Sequence, residues 1–301
     1  MRSRLHCVLL LALLGLAACS NHGDTRQQSQ SNGMAVAKAA FDSAQYDKAE
    51  RLYQALLADD ATLEEAQLML ARTRYQQDKK QAARDGLQQL LDKGGKQGAQ
   101  AAHYLGKFLL DDGLSAEAAL AYQQGLALAG LNRDERARLS NGLGVASLQQ
   151  GAFGKGRQQF EVAVAAAPDE PDYRVNLALG WLMEGNKVAA RQAFEPLLHY
   201  QNLPPRVEMN YVLLLLAEGN EPQARLILSR FLSASQLEHD IRLLKAQLGR
   251  GRGRETRARC GQHRAGDHLA AAAGTAVAGG GCAAGASAIQ HPGAWLAIRA
   301  P

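Results

Sequence analysis

The sequence predicts an all-α protein, about six helical hairpins stacked one upon the next. Three observations predict it: a motif that returns at a near-constant interval, apolar residues spaced three and four apart on both arms of each copy, and no run of period-two alternation that would make a strand. Composition agrees. The chain of 301 residues is 47% hydrophobic but only 5% aromatic, which suits thin helix-on-helix packing of alanine and leucine. Length alone would allow two domains, but stacked repeats form one elongated unit.

The repeat is clearest late in the chain. "EGNKVAARQAF" at 184–194 returns as "EGNEPQARLIL" at 218–228, so that Glu184, Gly185, Asn186, Ala190 and Arg191 recur as Glu218, Gly219, Asn220, Ala224 and Arg225. Asn176 likewise recurs as Asn210. Small residues continue the column backwards through Gly156, Ala118, Ala83 and Ala49, so the steps from 49 to 224 are 34, 35, 38, 34 and 34 residues. Four places after each stands a large apolar residue: Tyr53, Leu87, Tyr122, Phe160, Phe194 and Leu228. Five places before four of them stands a glycine: Gly113, Gly151, Gly185 and Gly219. Thirteen and twelve places before lie a bulky and a small residue, as in Leu70-Ala71, Leu105-Gly106, Leu143-Gly144 and Leu177-Ala178, with Tyr211-Val212 the loosest pair.

One copy is a helical hairpin. Glycine between the arms suits the left-handed residue that closes a helix, since it has no Cβ to clash. Pro222 falls at the first position of a second helix, where a missing N–H costs nothing. Small residues allow the arms to approach, and the large ones fill the space between neighbours. A single hairpin cannot bury its apolar face, so several must stack. These columns resemble the tetratricopeptide repeat (TPR) over residues 33–236. The resemblance implies a right-handed superhelix whose first helices line a concave groove. The first copy departs from the pattern, its leading helix at about 33–43 lacking the leucine-glycine pair, and Pro196 predicts a kink inside a second helix.

The beginning of the chain carries a second signal. "MRSRLHCVLLLALLGLAACS" has Arg2 and Arg4, then an apolar run from Val8 to Leu16 that is short for a membrane span and reads as a secretion signal over 1–18. Leu16-Ala17-Ala18-Cys19 resembles the bacterial lipobox. That resemblance implies cleavage before Cys19, lipid on its sulfur and further acylation (palmitate) of the new amino terminus. Two or more acyl chains anchor a protein stably, at about 0.8 kcal/mol per buried methylene. An ordinary signal peptide ending near a cysteine is the plainer alternative. By the lipoprotein sorting scheme, Ser20 in place of aspartate points to the outer membrane, facing the periplasm. Residues 19–33, polar and rich in Gln and Ser, read as a lipidated flexible tether ahead of a repeat region at 34–248.

From Gly249 the periodicity stops, and 249–301 is an Ala/Gly/Arg tail. Its seven arginines against Glu255 and Asp267 account for the whole net charge of +5, so residues 1–248 are neutral and the basic balance describes the tail alone. Three readings stay open: a basic tail for nucleic acid or anionic lipid, a wall-associated tail, and a frame-shifted reading of GC-rich DNA, which the composition favours. The lipobox directs the chain away from the cytoplasm and so against nucleic acid. Cys7 leaves with the signal and Cys19 is taken by lipid, which leaves Cys260 and Cys282, both in the tail, as a possible pair.

No motif for catalysis stands out. The eight histidines are scattered, with no His-Glu-x-x-His, Cys-x-x-Cys, phosphate loop or nucleophile elbow. The carboxylate pairs Glu64-Glu65 and Asp111-Asp112 are adjacent on helices, point apart and read as solvated surface. The expectation is a non-enzymatic protein without cofactor, metal or small-molecule substrate, whose work is binding. With each small residue as position twenty of the resembled repeat, the groove face holds Arg72, Tyr75, Lys107, Asn141, Val145, Asn176, Leu179, Asn210 and Leu213. Of these, Tyr75, Lys107, Asn141, Asn176 and Asn210 are the candidate peptide-binding residues. An amide both donates and accepts, so a row of them can pair with an extended backbone. The same amides could instead bond neighbouring helices. Trp181 and Phe194 read as core between helices.

The closing portion, "NLALGWLMEGNKVAARQAFEPLL" and "NYVLLLLAEGNEPQARLILSRFL", resembles the TadD family of TPR lipoproteins in the Tad (Flp, tight-adherence) pilus machinery. This implies a scaffold at the outer membrane that helps a secretin localise or multimerise, with the secretin or other pilus-assembly components as partners. The alternatives are a pilotin of the PilF/PilW kind for type IV pili and a general envelope-assembly scaffold.

Overall fold

A computed structural model describes residues 26–199, 203–246 and 248. The signal segment, Cys19, Cys260, Cys282 and the tail lie outside them. Among the described residues every regular element is a helix and no strand occurs. In chain order these are α1 (26–42), α2 (Tyr46–Asp59), α3 (Glu64–Gln76), α4 (Lys80–Lys93), α5 (Gly98–Asp111), α6 (Ser115–Leu126) and α7 (Arg133–Gln149). Then follow α8 (Phe153–Ala166), α9 (Pro171–Met183), α10 (Lys187–Phe194) with a 3-10 turn (Glu195–His199), α11 (Pro205–Glu218), α12 (Glu221–Leu228) and α13 (234–246). Odd-numbered helices are the first arms of the predicted hairpins, and even-numbered helices the second. Two compact units divide the chain between Leu105 and Gly106, inside α5.

The columns read from the sequence are the core. Ala49, Ala83, Ala118, Ala190 and Ala224 are fully buried, and so is the large residue a helical turn beyond each, from Tyr53 and Leu87 to Phe194 and Leu228. In the first unit, Tyr53 and Leu56 of α2 pack with Ala37 of α1 and Met69 and Leu70 of α3. In the second, Val212 to Leu216 of α11 share one core with Phe194 and Leu197 and with Ile241 and Leu244 of α13. Burying a side chain of this size stabilises by roughly 1.5–3 kcal/mol. The glycines of the column are demanded by contact. A Cβ on Gly144 would stand 2.4 Å from the Phe160 ring and 3.0 Å from the carbonyl oxygen of Gly156, so α7 and α8 meet backbone to backbone.

The hairpin turn is the same throughout. Gly113, Gly151, Gly185 and Gly219 take φ between 77 and 86°. The amide after each reaches back five residues, as Leu114 N–H to the Leu109 carbonyl at 2.8 Å and Asn220 N–H to the Leu215 carbonyl at 2.8 Å. This is the Schellman closure of a helix. The first two hairpins make this turn without glycine: Ala44 (φ 56°) and Asp78 (φ 61°) hold the left-handed position. The longer 38-residue step is also explained. It is absorbed by α7, 17 residues long, and by the loop before it, where Asn132 and Glu135 form a reciprocal capping box with both bonds at 2.9 Å.

Three expectations need correction. Residues 26–33, read as tether, are the first turns of α1. Arg26 donates to the Asp59 carbonyl at 2.8 Å, and a Cβ on Gly33 would stand 2.8 Å from Leu56, so this polar stretch docks on α2 rather than running free. Polarity hid the helix, because only one of its faces is covered. At Pro196 the chain does not bend a continuous helix; α10 stops at Phe194 and goes on as the 3-10 turn, since proline cannot donate to the carbonyl four places back. Pro222 lies at the second helical position, not the first, with Asn220 as N-cap and Glu221 between.

Candidate functional site: the first-helix faces

In the second unit α7 touches α9 and α9 touches α11, so the faces of these first helices lie side by side. Asn141 and Asn176 come from neighbouring helices, and Asn176 Nδ2 donates to Asn141 Oδ1 at 2.7 Å. Both are half-buried. The pair leaves Asn141 two N–H donors, and leaves Asn176 one N–H and its carbonyl oxygen. Asn210 is half-buried on α11, and Val145 is half-buried on α7. Leu179 and Leu213, assigned to the same face by register, are buried in the core instead, 7% and 2% exposed. A register position fixes a direction from the helix axis, but the next helix decides whether that direction meets solvent.

In the first unit Tyr75 is half-buried on α3, with Lys80 Nζ 5.9 Å from its ring centroid. Arg72, one turn earlier, is reached by two rings: its Cζ lies 4.3 Å from the Tyr104 centroid and 5.1 Å from that of Phe41. Burial pushes the nearby Tyr53 phenol up to about 12 against the pull of the Arg72 charge, so it stays neutral. Lys107, in the second unit, is exposed and spans one turn of its own helix to Asp111 at 2.8 Å.

The carboxylate pairs divide. Glu65 is exposed. Glu64 is bound by Lys93 at 2.9 Å and accepts from the Gln97 amide at 3.3 Å, and the Lys93 hydrogen bond holds its carboxyl below the ordinary value. Among the described residues no group of three or more His, Cys, Asp or Glu could hold a metal ion. No helix among them is long and apolar enough to cross a membrane.

One recurrent device is not legible from the sequence alone. After Ala49, Gly156 and Ala190 the next residue carries a charge that reaches the end of the following first helix. Arg157 Nε donates to Glu184 at 3.0 Å, and Arg191 Nε donates to Glu218 at 2.7 Å. Burial alone would lower Arg157, but its bonds to Glu184 and Glu161 outweigh that and raise it; Arg191 is raised chiefly by Glu218. In the first hairpin the polarity is reversed, with Glu50 accepting from Arg74 Nε at 3.2 Å and Lys79 Nζ at 2.5 Å. Asn186 and Asn220 cap α10 and α12 by accepting from the amides of Ala189 at 3.0 Å and Gln223 at 3.3 Å. The signal was the spacing of Arg157, Arg191, Glu184 and Glu218 at a common interval.

Paired helices with a small-residue seam and a left-handed turn, returning at a near-constant interval, define a helical-repeat protein. The repeat is the tetratricopeptide repeat: the family model of that description matches residues 68–133 and 109–171. No curated protein matches the chain by sequence. Among solved structures, PilF of Pseudomonas aeruginosa is similar at 18% identity and TM-score 0.60, over 72% of this chain and 98% of that one. PilW, described as a widely conserved type IV pilus biogenesis factor, is similar at 20% identity and TM-score 0.58, over 68% and 92%. The Cut9–Hcn1 assembly of the APC/C is similar at 16% identity and TM-score 0.55, over 72% of this chain and 42% of that one. At such identities the likeness is one of fold.

Proposed function

We propose that this chain is a non-enzymatic scaffold at the outer membrane, held there by lipid on Cys19, that assembles the Flp pilus of a Tad system by helping its secretin localise or multimerise. The observation that carries the binding role is the first-helix face of α7, α9 and α11, where Asn141 and Asn176 are half-buried, joined to each other and still supplied with donors and an acceptor. An extended segment of a protein partner can add its backbone to such a row. The Leu-Ala-Ala-Cys segment and the wording of the late repeats support the envelope setting. A second reading, a pilotin for type IV pili, draws support from the likeness of fold to PilF and PilW.

Deletion of the gene in the native host separates the two. Loss of heat-stable secretin multimers of the Tad system, with type IV secretin unaffected, is the expected result. Loss of the type IV multimers alone moves the protein to the second reading, and intact multimers of both kinds defeat the proposal. The anchor is tested in the same strain by Cys19→Ala and metabolic labelling with radioactive palmitate. The variant should carry no label and should leave the membrane fraction; equal labelling would remove Cys19 from the account.

A further inference from the structure

We propose that one edge of the first unit, made by the start of α1 and by the α2–α3 and α4–α5 loops, lies against the phospholipid headgroups of the membrane, held there by a leash of six residues; this rests on the lipid anchor at Cys19 proposed above. The sequence alone allows a longer tether, 19–33, on which the repeats could sit at any angle. The structure shortens it. The chain is helical from Arg26, and that residue is already fixed, since Arg26 Nη2 donates to the Asp59 carbonyl at the end of α2 at 2.8 Å. One turn later Gln30 donates to the Asp60 carboxylate at 3.4 Å. Arg133 makes the corresponding bond at the start of α7, to the Ala166 carbonyl at 3.0 Å, so Arg26 stands where another first helix of this chain also begins. Between Cys19 and Arg26 stand residues 20–25. A chain of that length spans about 25 Å at full extension and roughly 15 Å on average as a coil.

The start of α1 belongs to a continuous edge. Asp59 and Asp60 lead into the α2–α3 loop, where Asp60 accepts from the Thr62 hydroxyl, and Glu64 at the head of α3 is held by Lys93 and by the Gln97 amide of the α4–α5 loop. All of these residues lie in the first unit. The groups this edge presents are polar, with Arg26, Asp59, Thr62 and Lys96 exposed. Such a surface suits the hydrated headgroup layer and not the acyl region, where charges are costly. The opposite edge carries the turns at Ala44 and Asp78, and the 13 residues of α3 set the two edges about 20 Å apart. A short leash keeps the near edge beside the headgroups at an effective concentration on the order of millimolar, so individually weak contacts suffice to orient the unit.

The test uses the full chain, purified with its lipid from host membranes and reconstituted in vesicles of phosphatidylcholine and phosphatidylglycerol, a small share of whose headgroups carry an amine-reactive ester. Lysines joined to lipid are identified by mass spectrometry, each normalised to its reaction with a soluble ester in detergent. Lys96 should be labelled at least fivefold more than Lys79 and Lys80 beside the turn at Asp78. Twenty Gly/Ser residues inserted between His22 and Gly23 should lower that ratio at least twofold. Equal labelling of the two edges, or a preference for Lys79 and Lys80, overturns the proposal, as does a preference for Lys96 that the insertion leaves unchanged. Radioactive palmitate on the same preparation separates this from the reading beneath it. A chain without label loses both the anchor and the orientation, and a labelled chain with equal edges loses the orientation alone.

Discussion

Arg191 on α10 and Glu218 at the end of α11 form a forked ion pair, Nε to Oε1 at 2.7 Å and Nη2 to Oε2 beside it. The pair ties the second arm of one hairpin to the first arm of the next. It repeats the bond of Arg157 to Glu184 one repeat earlier. The recurring letters Glu, Gly, Asn, Ala and Arg thus have separate physical duties: acceptor of the previous arginine, left-handed turn, N-cap, buried seam, and donor to the following glutamate.

Because Glu218 is 19% and Arg191 43% exposed, the bond is screened rather than buried. Glu218→Gln should cost about 0.5–1 kcal/mol. Thermal melts at low and high salt check this: the deficit should shrink as salt rises, and a deficit independent of salt would assign Glu218 a packing role instead.

The turn at Ala44 makes a simple target. An alanine held at φ 56° strains against its own Cβ, and glycine does not. Ala44→Gly should therefore stabilise by up to about 1 kcal/mol, the left-handed penalty less the entropy glycine adds to the unfolded chain. Asp78→Gly should gain less, because aspartate tolerates that conformation better. Denaturant midpoints rank the two; a lower midpoint for Ala44→Gly would contradict the turn geometry.

Two helical glycines should respond in opposite directions to alanine. At Gly86 the nearest heavy atom to an added Cβ is that of Ala71 at 3.5 Å, an ordinary contact, so Gly86→Ala should gain up to about 1 kcal/mol from helix propensity. Gly144→Ala drives its Cβ into the Phe160 ring and the Gly156 carbonyl and should cost roughly 1–3 kcal/mol. Equal shifts in urea melts would mean that α7 and α8 can separate freely.

Acid should unfold the protein through its bound carboxylates. Burial works to raise Glu50, but hydrogen bonds from Lys79 and Arg74 more than offset it, and Glu64 is lowered chiefly by Lys93, so both lie below their reference value of 4.5. A carboxyl depressed by folding adds stability that is present above the unfolded value and is lost as the pH falls through the folded one. The melting temperature should hold from pH 7 to 5 and drop below about 4.5. Glu50→Gln should lower the plateau and flatten the drop; an unchanged profile would show that other groups govern it.

The asparagine row predicts a split between stability and binding. Asn141→Ala leaves Asn176 Nδ2 without its present acceptor, at a cost of about 1 kcal/mol, less where water takes its place. Replacing Asn141, Asn176 and Asn210 together should weaken partner binding well over tenfold with little change in helical content. Titration against the periplasmic part of a secretin, beside circular dichroism melts, checks both halves. Normal binding by the triple variant would exclude the amides from recognition.

The sequence by itself determined the hairpins, because each depends on local and periodic facts: a small residue every 34 or so places, a large one a turn later, a glycine at the turn. Those facts place Ala49 through Ala224 and Tyr53 through Leu228 in the core, where the structure has them. It was silent where meaning depends on a neighbour. Ala44 and Asp78 make glycine's turn because the flanking helices impose it, and residues 26–33 are helical because α2 covers one side of a polar stretch. Only the tertiary structure decided that Leu179 and Leu213 leave the open face for the core, that Asn141 and Asn176 bond each other, and that Arg72 meets Phe41 and Tyr104. Periodicity tells which way a side chain leaves its helix; what it meets there is set by residues some thirty places away.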